Sequence, residues 1–181
     1  YHLQRSHFAL RGTGAHARQA ALLLAGAQQV DHQAHTDLRA QQATSQVESL
    51  ALAQGNARAV SNAYTRIAPG ADGADVRQRL TGIPLAGHPR LVLRPHLEIL
   101  HDNVQAAHGA TWGALPEAAL FYAAQRGLDD ARARALITEG MARALLERAL
   151  GDSLLLAEWL EGGWLGRQLE RQAQAPLGDA T

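Results

Sequence analysis

The chain has 181 residues, enough for one domain, or one domain with a small appendage. Its 17 basic and 17 acidic residues cancel, so no global field recruits nucleic acid or an anionic membrane. It has no cysteine, which excludes disulfides, a thiolate nucleophile and a cysteine ligand for any metal cluster. No apolar run approaches the roughly 18–20 residues that span a bilayer. No charged-then-apolar leader opens the chain either. It begins at Tyr1, inside an already patterned segment, and reads as a piece of a longer protein. Composition is thus compatible with a cytoplasmic protein and says nothing more.

From Tyr1 to about Ile99 the chain reads as short extended pieces between small-residue breaks. His2 to Leu10 carries Leu3 and Phe8 and ends at Arg11-Gly12-Thr13-Gly14. Ala15 to Ala25 contains Leu22-Leu23-Leu24 and stops at Gly26. Gln28 to Leu38, Ser45 to Ala53 and Arg58 to Ile67 follow, broken at Gly55-Asn56 and Pro69-Gly70. Strands this short, punctuated every ~10 residues, suggest an all-β sandwich, barrel or solenoid. Alanine and glutamine are unusually common for strands, and Arg39 to Ala53 also scores as helix. No clean repeat period emerges, so periodicity alone leaves the three architectures open.

The next run, Pro95 to Gly127, is the most informative. It starts as an apolar strand (Leu97, Ile99), breaks at His101-Asp102-Asn103 and continues extended from Val104 to Thr111. At Pro116 the character changes. Glu117 to Gln125 has helical spacing behind a proline at the first turn, where a missing N–H costs nothing, and Gly127 stops it. Asp129-Asp130 places carboxylates at the start of a second helix, with Leu136, Ile137, Met141, Leu145 and Ala149 as its apolar stripe and Gly151 as its end. Asp152 or Ser153 can cap a third, with Leu155, Leu156, Trp159, Leu160, Leu165 and Leu169 on one face, interrupted at Gly162-Gly163. The boundary between a β part, 1–115, and a helical part, 116–181, falls at this change.

The same run resembles the SufB/SufD family, the paired scaffold proteins of Suf iron–sulfur cluster assembly. Pro95-His96-Leu97-Glu98-Ile99 resembles the family's P-x-L-E-I. Asp102 to Thr111, DNVQAAHGAT, resembles D-D-V-K-C-S-H-G-A-T, and Phe121 to Leu128, FYAAQRGL, resembles F-Y-L-x-S-R-G-I. The His-Gly-Ala-Thr form, His108 to Thr111, looks SufD-like. Further back, Gln29-Val30-Asp31-His32 looks like V-D-H-H, Thr44-Ser45 like T-S, and Ala57-Arg58-Ala59-Val60 like A-R-A-V. The resemblance reaches about Leu150. It implies a right-handed parallel β-helix followed by a C-terminal helical cap, without the family's own N-terminal helical domain. Departures are also present. Gln33 replaces the second His of V-D-H-H, Leu38 stands where a further His is expected, Ser61-Asn62-Ala63 replaces F-N-G, Ala106 replaces the Cys, and Glu139-Gly140-Met141 stands for R-G-F.

Nine histidines invite a metal hypothesis. In a strand, residues i and i+2 share a face while i and i+3 do not, so His32 and His35 cannot chelate one ion. His96 and His101 lie across a turn; His96 shares a face with Glu98, which an ion pair explains equally well. Val104, Ala106 and His108 should point one way. The family pattern thus sets a Cys and a His side by side, a pair suited to soft and borderline metals; here only the imidazole remains. By its chemistry alone His108 is a hydrogen-bonded structural residue. The resemblance instead implies a subunit-interface position where a nascent cluster forms, as iron ligand or proton carrier in the assembled complex only. Both readings stay open.

No G-x-x-x-x-G-K-[ST] loop occurs, so ATP hydrolysis is not expected of this chain. No G-x-S-x-G elbow occurs either. The resemblance implies a non-catalytic scaffold that pairs with a SufB-like subunit or with itself and docks a SufC-like ABC ATPase. Phe121, Tyr122, Arg126, Gly127, Gly140 and Met141 would serve that docking. No cofactor is expected on the isolated chain, and iron or a cluster only in transit through the complex. Two alternatives stand beside this: a degenerate relative that only docks or regulates the ATPase, and a metal-dependent enzyme built on His96, Glu98 and His108.

Overall fold

The computed structural model describes residues 1–151 and 163–174. Eight strands come first: β1 His2–Leu10, β2 His16–Ala25, β3 Gln29–Leu38, β4 Thr44–Gly55, β5 Arg58–Ile67, β6 Asp75–Gly87, β7 Arg90–Ile99 and β8 Gln105–Trp112. Each pairs in parallel with the strand two places on, giving one sheet in the order β1-β3-β5-β7 and another in the order β2-β4-β6-β8. The chain therefore winds through both sheets once per turn. This is a β-solenoid of four turns, and the expected parallel β-helix architecture is present.

Register shows why no repeat could be read in the sequence. His2 stands opposite Val30, Val30 opposite Ala59 and Ala59 opposite Leu91, steps of 28, 29 and 32 residues. The second sheet steps from His16 to Thr44, Asp75 and Gln105, again unequally. Strands stay aligned while corners vary in length, and a β-bulge at Ala53/Gln54 adds a further slip.

Alternation of side chains puts every second residue into the lumen. Its rows are short-chained. Ala51, Ala53, Ala57 and Ala59 pack with Leu23 and Ala25 at one corner, and Leu10, Leu38, Ile67 and Val76 pack with alanines at the other. Alanine, poor in strands by propensity, is here the residue that fits between two close sheets. Polar rungs cross the lumen between these layers. Ser6 Oγ donates to Gln19 Oε1, Gln19 Nε2 to Thr36 Oγ1, and Gln78 Nε2 to Thr65 Oγ1, while Ser49 and Ser61 share a 2.8 Å bond. Arg39 to Ala53 is loop and strand, not helix: Ser45, Val47, Ser49, Ala51 and Ala53 are all buried at period two.

One corner repeats a left-handed residue at Gly14, Gln42 and Gly73, with φ of 69°, 56° and 69°. Each donates its N–H to the next turn, at Gln41, Asp72 and Asn103 respectively. The conformation belongs to the solenoid and is kept even where the residue is glutamine.

Three helices follow: α1 Glu117–Gln125, α2 Asp130–Leu150 and α3 Trp164–Gln174. Asp129 caps α2, accepting from Arg132 N at 2.8 Å, and Gly151 closes it at φ 61°. The helices cover the outer face of the second sheet. Leu50, Leu52 and Ile83 pack there against Leu145 of α2 and Leu165 and Leu169 of α3, with Met141 and Ile137 alongside. Leu136, expected on this stripe, is instead 58% exposed. Asp152, Ser153, Leu155, Leu156, Trp159 and Leu160 lie outside the described residues.

Candidate functional site

The solenoid ends on β7 and β8, the last strands of their sheets. An edge strand presents unpaired N–H and C=O groups, and natural proteins blunt such edges with proline or charge. The two edges differ. Arg90 N and Leu100 N donate to Ala57 O, just before β5, and to Ile67 O at its end, so the N–H groups of the even-numbered residues of β7 face inward to the sheet and those of the odd-numbered face its free edge. Pro95 falls among the odd ones and removes a donor. On β8, Gln105 N and Gly113 N donate to Ala74 O and Gly82 O. The free edge therefore carries Ala106, His108, Ala110 and Trp112, with no proline among them. Every residue of β8 is exposed.

These same residues form the lumen-facing row of β8. Ala106 stands opposite Val76, His108 opposite Gln78 and Ala110 opposite Leu80, and all three β6 residues are buried. The expectation that Ala106 and His108 share a face holds. Val104 lies just before the strand and packs against the Leu10–Leu38–Ile67 layer. His108 also borders a cleft of about 690 Å³ with Gln78, Arg77, Arg79, Glu48 and Arg148. The site thus combines a free strand edge, an uncovered lumen row ending in Trp112 (73% exposed) and one imidazole.

As a cluster site the donor set is too small. The chain has no cysteine, and no three His, Asp or Glu side chains converge among the described residues. One imidazole lacks the chelation that three or four ligands supply.

The helical residues singled out in the sequence lie near the start of the cap. Phe121 and Tyr122 are 67% and 57% exposed on α1, and the Arg126 guanidinium sits 3.6 Å over the Tyr122 ring. Gly127, at φ 79°, ends the helix. On α2, Gly140 is exposed and Met141 turns toward the helix–sheet core.

His96, Glu98 and His108 do not come together as an enzyme site would need. His96 and Glu98 lie on the outer face of β7, in the first sheet, and His108 on the lumen row of the second. Glu98 is engaged elsewhere, accepting from Tyr64 Oη at 2.7 Å and pairing with Arg66. That bond raises the tyrosine pKa above its ordinary value. His101 and Asn103 both meet Asp72, whose carboxyl is lowered chiefly by the Asn103 hydrogen bond. His32 faces the lumen and His35 the outside, as their spacing requires. Burial pushes the His32 imidazole down.

Residues 2–141 match the family model for the SUF-system FeS cluster assembly SufBD core domain. An iron–sulfur cluster assembly SufBD family protein of Synechocystis is 32% identical over 92 residues, 51% of this chain and 20% of that protein. The iron–sulfur cluster assembly protein SufD of Escherichia coli is 29% identical over 97 residues, 54% of this chain and 23% of its own. A SufBD family protein of Mycobacterium tuberculosis is 27% identical over 158 residues, 83% of this chain and 19% of that protein. The chain thus spans about a fifth of the length of these relatives.

Proposed function

The chain belongs to the SufBD family of iron–sulfur cluster assembly proteins, and on that premise we propose that it is a non-catalytic scaffold subunit. It pairs along β8 with a SufB-like subunit or a second copy, and docks a SufC-like ABC ATPase through the α1 region. The observation that carries this is the asymmetry of the solenoid end: the free edge of β7 loses a donor at Pro95, whereas β8 offers an open row of backbone groups beside an uncovered lumen row. Strand addition at such an edge gains main-chain hydrogen bonds and buries Ala110 and Trp112 together. His108 would then lie at the junction, adding one ligand or a proton path to donors from the other subunit. Phe121 and Tyr122, both exposed and the latter with Arg126 over its ring, supply the apolar docking contact for the ATPase.

The test is reconstitution. The lone chain, purified, should carry no stoichiometric iron or sulfide. With its partners, His108→Ala should leave folding and ATPase docking intact and lower only the cluster yield. Tight iron in the lone chain would contradict the scaffold reading, and an unchanged yield would make His108 structural.

A second reading has its own support. Leu38, standing where the family has a histidine, is fully buried, and Gln33 is engaged by Arg5 and Asp31. One position serves packing and the other a surface hydrogen-bond pair, which favours a member that docks the ATPase without handling iron. Complex formation with normal ATPase binding, but equal cluster yield with and without the chain, would select it.

A further inference from the structure

The outer face of the first sheet carries a feature that neither the solenoid end nor the helical cap uses. Register places His7 opposite His35, His35 opposite Tyr64 and Tyr64 opposite His96. The rings form a ladder, with centroids 6.4, 5.6 and 6.5 Å apart in turn. We propose that the paired, exposed imidazoles of His7 and His35 bind one borderline divalent metal ion of the zinc and nickel type.

The Tyr64 hydroxyl is committed to Glu98, and the tyrosine separates His96 from the other two. Among the described residues His7 and His35 make ring contacts but no side-chain hydrogen bond, and both are exposed. Neighbouring parallel strands lie about 4.7–4.9 Å apart, and zinc takes each imidazole nitrogen at about 2.0–2.1 Å. Small rotations of two solvent-facing rings therefore bring both to a shared ion, with water completing its shell. The rungs on either side are nearly neutral to this: Arg5 is turned to Gln33, and Asp37 is paired with Arg39 and Arg66, while Ala9 leaves room beside His7. With imidazole the only donor, the pair suits zinc, copper or nickel and not magnesium or calcium, which take oxygen. The site is distinct from His108 and does not rest on the scaffold reading.

The experiment is calorimetric titration of the untagged chain with Zn2+ and with Ni2+. One saturable equivalent is expected. His7→Ala and His35→Ala should each weaken it by at least the roughly 10–100-fold that losing even a supporting group costs a metal site. His96→Ala should leave it unchanged, and Mg2+ should not bind. All three side chains are on the solvent face, so circular dichroism should report an unchanged fold. Absence of a saturable equivalent, or affinity indifferent to His7 and His35, would overturn the proposal; so would an equal loss in His96→Ala.

Discussion

Gly87 has φ 76°, and a Cβ built there would lie 2.8 Å from the Gly55 Cα of the preceding turn. The obstacle is backbone, which cannot swing aside. Gly87→Ala should therefore cost at least about 1–3 kcal/mol for the left-handed conformation alone, with overpacking of similar size added. A denaturant midpoint near that of the parent would show that the corner relaxes. His32 offers a different residue-scale test. Burial holds its pKa below that of an ordinary imidazole, partly offset by Asp31. The unfolded chain then binds more protons between the folded and unfolded pKa, so unfolding free energy rises with pH in that interval. Its contribution is whole above the ordinary imidazole pKa and is lost as the pH falls through the folded value. Urea melts between pH 7.5 and pH 5 should steepen this loss in the parent relative to His32→Gln. Parallel curves would mean that the buried ring does not titrate as described.

Between elements, packing and charge can be set against each other on one helix. Leu145 is 3% exposed in the layer joining α2 to the second sheet, so Leu145→Ala should cost about 2–5 kcal/mol. Arg148 of the same helix reaches Glu48 of β4 at 3.1 Å, half-exposed. Glu48→Gln should cost no more than about 1 kcal/mol. Thermal melts yielding the reverse order would mean that α2 is held by its ion pair. Much at this scale was legible in the sequence. Local chemistry marks its own boundaries: Gly127, the Asp129 cap and Gly151 end or begin helices where expected, and β1, β3 and β5 fall within a residue of their expected limits. What stayed hidden depends on neighbours distant in the chain. The sequence marks out no separate extended piece over β6 or the first half of β7, where Pro84 and Pro95 stand inside strands. Leu136 fits the apolar spacing of α2 yet is left 58% exposed. Ala106 and His108 could be set on one face from strand alternation, but the openness of β8 could not. The His7–His35 pairing needed a 28-residue register that the unequal corners concealed.

For the molecule as a whole, the question is whether β8 is an edge in use. Stacked turns bury one another, and among the described residues the last turn has no successor. Backbone alternation makes this separable from folding. Gln105 and Gly113 donate toward β6, so the N–H of Ala107 does likewise, while that of Ala110 points to the free edge. Proline is tolerated where the missing donor faces solvent and disruptive where the ladder needs it. Ala110→Pro should thus keep its far-UV spectrum and melt within about 1 kcal/mol of the parent, since a lost hydrogen bond to water costs the fold little. It should nevertheless fail to co-purify with a SufB-like subunit or with a second copy. Ala107→Pro should do the opposite first, losing stability of the last turn before any question of partners arises. Gly109, next to Ala110, readily takes the extended backbone that a following proline demands. If Ala110→Pro still forms the complex with unchanged affinity, subunits do not join by strand addition at β8. The open lumen row, with His108 in it, would then need another covering.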